Sequence, residues 1–118
     1  MNDLTYNHVI KDKYIIVYLK GDLDAYKSEK IKDDLKKIIN ENKEQTLVVL
    51  NLSELNYIDS AGLGSLVSIL RYMKEQQKKL TIYKLNKNIE RIFKMTRMDS
   101  LFGLYNDLND VLEDHNLI

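Results

Sequence analysis

Asp59 and Ser60 stand directly before Ala61-Gly62-Leu63-Gly64, and a serine hydroxyl beside a carboxylate in that setting has two chemical uses. A helical stripe of Leu63, Leu66, Val67 and Leu70 begins at once, so Ser60 falls near the N-cap or the first helical position. There its hydroxyl can accept hydrogen bonds from free backbone N–H groups. The other use is as a phosphoryl acceptor. A helix N-terminus tolerates an anion, so a phosphate of about −1.5 to −2 charge would leave the fold standing. A partner packed against Ala61, Gly62 and Gly64 would instead meet bulk and unpaired charge beside Asp59. The fold survives while the interface fails, which makes a usable switch. Two glycines in a first turn destabilise a helix by about 1 kcal/mol each relative to Ala, and close approach of another protein's backbone gives that loss a reason. By itself an Asp-Ser pair before a helix is most often only a cap. On these residues alone both uses stay open.

Other chemistry is poorly supplied. There is no cysteine, which excludes thiol catalysis, thiolate zinc sites and disulfides. Gly62-x-Gly64 lacks the third glycine of a dinucleotide fingerprint, and nine loop residues are expected between the preceding strand and the helix. No Walker spacing is present. His8 lies in the first strand and His115 near the C-terminus, neither next to a nucleophile. No catalytic group, cofactor or metal is expected.

The elements that must position Asp59 and Ser60 emerge from apolar periodicity. Leu4 to Ile10 and Tyr14 to Lys20 read as two strands joined by a turn at Lys11-Asp12-Lys13. Gly21-Asp22-Leu23-Asp24 breaks the pattern, and Asp24 is positioned to cap the next helix. From Ala25 to about Asn40 the stripe Ile31, Leu35, Ile38 and Ile39 marks that helix as amphipathic. Leu47-Val48-Val49-Leu50 reads as a buried central strand, followed by a loop from Asn51 to Asp59 and a helix from Ser60 to about Gln77. A strand over Leu80 to Lys84 comes next, then a helix capped by Asn86 with Ile89, Ile92 and Phe93 inward. A short edge strand fits Gly103-Leu104-Tyr105, and a last helix runs from about Asp107 to Asp114. Tyr57, Ile58, Met73, Met95 and Met98 are read as packing residues. The fold expected is α/β: a mixed sheet of four to five strands, opening with a hairpin and packed with about four helices.

The 118 residues fit one domain spanning 1–118, and 18 basic and 18 acidic side chains cancel. No overall field selects nucleic acid or an anionic membrane. The longest apolar run, Tyr14 to Leu19, is six residues, far short of the ~18 that indicate a membrane span. The first residues lack the order of a signal peptide, so the expected location is cytoplasmic. Residues 71–97 carry nine Lys or Arg against Glu75 and Glu90, whereas 99–118 carry five acids and no Lys or Arg. Solvated helix faces that partly neutralise each other account for this most simply.

The stretch Leu47 to Leu70 resembles the STAS domain family, and within it the single-domain bacterial anti-sigma factor antagonists. The match rests on a hydrophobic strand, Leu52-Ser53, and then Asp59-Ser60-Ala61-Gly62-Leu63-Gly64. Leu19-Lys20-Gly21-Asp22-Leu23-Asp24 is similar to the family's Gly-x-Leu-Asp turn, and Asn86 through Tyr105 more loosely to its later helix and closing strand. The resemblance implies that the unphosphorylated protein binds an anti-sigma factor that is also a serine kinase and thereby frees a sigma factor. It implies Ser60 as the phosphoacceptor, with Asp22, Asp24, Asp59, Ala61, Gly62, Leu63 and Gly64 on the docking face. A metal-dependent PP2C-type phosphatase would reverse the modification. Apart from the resemblance, the free protein is expected to be a monomer. Three positions depart from the family pattern. Asn51 stands where many members carry Asp, Arg97 follows Thr96 where a helix-ending Gly is usual, and Asn86-Lys87 replaces Asn-Pro.

Two other readings share parts of these features. Asp22, Asp24 and Asp59 could supply the acids of a receiver-like metal site with Asp59 as acceptor, but receivers carry an adjacent acidic pair after the first strand and this chain opens with a hairpin. A constitutive STAS scaffold or transporter-associated subunit without a phosphoswitch would share the fold, since fold does not fix function.

Overall fold

The computed structural model describes residues 3–118. β1 (Thr5–Ile10) and β2 (Tyr14–Leu23) form the opening hairpin, followed by α1 (Ala25–Glu41), β3 (Leu47–Ile58) and α2 (Ser60–Glu75). β4 (Lys79–Tyr83), α3 (Lys87–Met95), a single 3₁₀ turn (Met98–Ser100), β5 (Gly103–Tyr105) and α4 (Leu108–Asp114) complete the fold. The five strands lie in the order β1-β2-β3-β4-β5, with β1 antiparallel to β2 and the remaining pairs parallel. The mixed sheet with four helices is the α/β architecture expected.

Strand alternation divides the core between the two faces of the sheet. Ile15, Val17 and Leu19 of β2 and Val48, Leu50 and Leu52 of β3 meet the apolar stripes of α1, α2 and α3 on one face. Ile16, Leu47, Val49 and Tyr83 point the other way, where Val111 of α4 covers them.

Two strands run further than the sequence pattern indicates. β2 continues through Gly21 to Leu23, and β3 continues through the expected loop to Ile58, so Asp59 alone separates it from α2. The cause lies in the register. Between the pairs Tyr18↔Asn51 and Lys20↔Glu54, and again between Gly21↔Leu55 and Asp22↔Tyr57, β3 uses one residue more than β2. These bulges make Leu52, Leu55 and Ile58 the inward residues, a spacing of three that imitates neither strand nor helix. Gly21 sits at φ 108°, and a side chain there would overlap the carbonyl of Asp3, which explains a glycine inside a strand.

The departures at Asn51, Asn86 and Arg97 have local solutions. Buried Asn51 donates to the Tyr83 hydroxyl at 3.1 Å and accepts from the Ser53 N–H at 3.0 Å, within the first half of β3. Asn86 caps α3 by accepting from the Ile89 N–H at 3.0 Å, without help from a proline. α3 ends because Arg97 itself takes the left-handed conformation, at φ 60°. That conformation disfavours any residue with a Cβ by roughly 1 kcal/mol. Arg97→Gly is therefore expected to stabilise the protein by about 1 kcal/mol in urea unfolding; an unchanged midpoint would show that the Arg97 side chain offsets its backbone strain.

Candidate functional site

The C-terminal ends of β2 and β3 lie side by side, with Leu23 paired to Ile58, and each feeds a helix through one acidic residue. Asp24 is the N-cap of α1, accepting from the Tyr26 N–H at 3.0 Å. Asp59 is the N-cap of α2: Oδ1 accepts from the Gly62 N–H at 2.9 Å. Its second oxygen, Oδ2, accepts from the Ala25 N–H of α1 at 3.1 Å. One carboxylate thus satisfies an orphan donor on each of two helices and locks their N-termini together. Lys27 approaches this pair from α1, 3.7 Å from the Asp24 carboxylate and donating to the Asp22 carbonyl at 3.2 Å.

The capping role open to Ser60 is taken by Asp59. Ser60 occupies the first position inside α2, exposed, and among the described residues its hydroxyl makes no hydrogen bond. Two helix N-termini point their partial positive charge at its surroundings, so an anion on this oxygen meets favourable backbone dipoles.

The other predicted site residues divide by exposure. Ala61 and Gly64 are exposed and Asp59 is half-buried, whereas Asp22, Asp24, Gly62 and Leu63 are buried. Gly62 is small for an internal reason. A Cβ there would overlap the Leu23 carbonyl and come within 2.8 Å of Ile58 Cγ1, while one at Gly64 meets nothing within 4 Å. Close packing of α2 on β2 demands the first glycine; only the second leaves bare outer surface.

Two side chains read as packing residues are surface ones. Tyr57 is 43% exposed beside Asp59, and Met95 is 76% exposed at the end of α3; Ile58 and Met73 are core, and Met98 packs partly against it. Tyr26, which the sequence reading does not single out, stands 93% exposed in the first turn of α1. Its signal is present: it lies off the inward stripe of its helix.

Neither histidine approaches Ser60. His8 pairs with Val17 in the hairpin, and His115 lies against the Tyr105 ring, where burial and then Lys79 hold its pKa below the usual histidine value. A groove of about 540 Å³ between β1, β2 and β3 contains none of the predicted site residues. Among the described residues no ion pair within 4 Å joins the basic 71–97 stretch to the acidic 99–118 stretch. No helix among the described residues is long and apolar enough to cross a membrane.

The Asp59 carboxylate invites a direct check. Asp59→Ala removes both acceptors and is expected to lower stability by about 2 kcal/mol, the upper end of an N-cap loss. Hydrogen exchange should then quicken at Gly62 and Ala25 together; acceleration at Gly62 alone would show that the two helix ends are not coupled.

The STAS domain profile matches residues 5–111. An anti-sigma-B factor antagonist of Listeria monocytogenes is 28% identical over 93 residues, covering 79% of this chain and 80% of the relative. The crystal structure of an anti-sigma factor antagonist from Mycobacterium paratuberculosis superposes with a TM-score of 0.82 at 19% identity, over 95% of this chain and 93% of that one. The anti-sigma factor antagonist SpoIIAA in its unphosphorylated form superposes at 0.75 and 14% identity, over 100% and 99%, and its phosphorylated form at 0.66 and 16%, over 98% of each chain. The profile covers most of the chain, and the chain belongs to the STAS domain family.

Proposed function

We propose that this chain is an anti-sigma factor antagonist controlled at Ser60. Unphosphorylated, it binds an anti-sigma factor that is also a serine kinase, and the bound anti-sigma factor releases its sigma factor. The kinase transfers the γ-phosphoryl group of ATP to Ser60 Oγ, whose proton is lost, and binding ends. A PP2C-type phosphatase hydrolyses the phosphoserine and restores the active form. The chain acts as a cytoplasmic single-domain monomer without catalytic chemistry, cofactor, nucleic-acid partner or membrane partner of its own.

One observation carries this reading. Capping of α2 is performed by Asp59, which leaves an exposed, unengaged hydroxyl on the neighbouring residue at two joined helix ends. A serine needed for the fold would be capping; this one is available for transfer. Exposed Ala61 and Gly64 form the close docking surface, with Asp59 at its edge. Buried Asp22, Asp24, Gly62 and Leu63 serve the same face from behind, by fixing the helix ends that present it. The family relatives named as anti-sigma factor antagonists support the partner class.

The test is partner exchange. Unphosphorylated protein added to a preformed complex of anti-sigma factor and sigma factor from the same organism should liberate the sigma factor on gel filtration. Persistence of that complex at excess antagonist would contradict the proposal and favour a scaffold role.

A further inference from the structure

Two tyrosines in the chain segments next to Ser60 leave much of their side chains exposed. Among the described residues Tyr26 has the highest exposure of the large apolar side chains, at 93%, although Ile31, Leu35, Ile38 and Ile39 of the same helix all pack on the core. Tyr57 presents 43% of its surface to solvent. Among the described residues neither hydroxyl makes a hydrogen bond. A single exposed aromatic needs no explanation, but these two lie in the two chain segments that meet at the Asp59-bridged helix ends. Tyr26 follows Ala25, whose N–H is held by Asp59 Oδ2; Tyr57 precedes Asp59 by two residues and pairs in register with Asp22. The backbone bond that joins the two helix ends therefore also brings the Tyr26 and Tyr57 segments to the neighbourhood of Ser60.

The rest of that surface is poor in binding energy. Asp22, Asp24, Gly62 and Leu63 are buried, and Ala61 and Gly64 offer close approach but little side-chain area. Interfaces draw most of their energy from a few aromatic or Arg anchors, and each tyrosine can bury a large ring while its hydroxyl reaches a polar acceptor. We infer that Tyr26 and Tyr57 are the anchors by which the anti-sigma factor is held over Ser60, with Tyr26, the more exposed, contributing more. This rests on the function proposed above and divides its labour: the tyrosines supply affinity, and Ser60 supplies control. The partner presents an apolar pocket for each ring with a hydrogen-bond acceptor at its mouth. Because the anti-sigma factor is also the kinase, both rings also contribute uniform binding to the kinase's complex with its substrate.

The experiment is a titration of the full chain with the anti-sigma factor kinase of the same organism, together with steady-state phosphorylation of Ser60. Tyr26→Ala is expected to weaken binding by about 30-fold and Tyr57→Ala by about 10-fold. Tyr26→Gln, which retains helix propensity, should lose as much as Tyr26→Ala, and Tyr26→Phe only about threefold, since it keeps the ring. For Tyr26→Ala the loss should appear in KM with kcat within about twofold, because the ring binds partner without touching the transferred group. Ile118→Ser, another exposed apolar position at 70%, should bind like wild type. Binding by the Tyr26→Ala/Tyr57→Ala double variant within about threefold of wild type, with Ser60→Asp inactive, would overturn the anchors and leave the proposed function standing. Failure of the wild-type chain to bind the kinase would overturn both.

Discussion

Ser60→Asp is expected to weaken binding of the anti-sigma factor by about 100-fold or more while leaving the fold intact. The two halves of that result have separate causes. On the folded protein, a carboxylate at the first position of α2 lies at the positive end of the helix, where acidic groups are stabilising by about 0.3–1 kcal/mol. Asp59 nearby offsets part of this gain by repulsion, so the net change should stay within about 0.5 kcal/mol, as for an ordinary surface substitution. At the interface the same charge must be desolvated against a partner that supplies no cation for it. An uncompensated buried charge costs about 3–5 kcal/mol, which is more than a hundredfold in affinity. Ser60→Ala should keep full affinity and lose all sensitivity to the kinase. Thermal unfolding and partner titration of the two variants check both halves; tight binding by Ser60→Asp, and equally by Ser60→Glu, would contradict the charge-exclusion account.

The second large effect is a contrast between two glycines two positions apart. Gly62→Ala is expected to destabilise the protein by about 3 kcal/mol, the strong end of overpacking, because its methyl would run into the Leu23 carbonyl, Ile58 Cγ1 at 2.8 Å and Leu23 Cγ at 3.0 Å. Backbone on one side and a core side chain on the other leave little room to relax. Gly64→Ala has nothing within 4 Å and should gain about 0.5–1 kcal/mol from helix propensity. Urea unfolding of the two variants should thus move in opposite directions. A larger residue at position 64, such as Gln, should fold normally and impair partner docking. Equal and small shifts for both alanines would show that α2 has room to move away from β2.

Whether an element can be read from the chain alone depends on how regular its apolar spacing is. α1 and α2 keep helical stripes, and the hairpin shows two short β-branched and aromatic segments around a polar turn, so their existence and order are legible. The second half of β3 is not. Its inward residues recur every third position because two bulges insert extra residues against β2, and that period belongs to no regular element. The hidden half-strand matters for the site, since it delivers Asp59 directly onto α2 instead of through a long loop. Asp59 and Ser60 are legible as a pair, but either residue type can cap a helix, and only geometry assigns the bonds to Asp59. The same holds for the glycines. Gly62 and Gly64 look alike in a sequence, yet one faces a strand carbonyl and the other faces solvent. Tyr57 reads as a packing residue because aromatics beside apolar neighbours usually pack; the bulge next to it turns it outward.

The central claim is that Ser60 carries a regulatory phosphate, and phosphosite mapping by mass spectrometry on the protein from its native host tests it most directly. Cells should be compared in growth and under stress. The account predicts phosphate on Ser60, with an occupancy that changes between the two conditions. A Ser60 peptide that stays unmodified in both, while partners still co-purify with the protein, would contradict it.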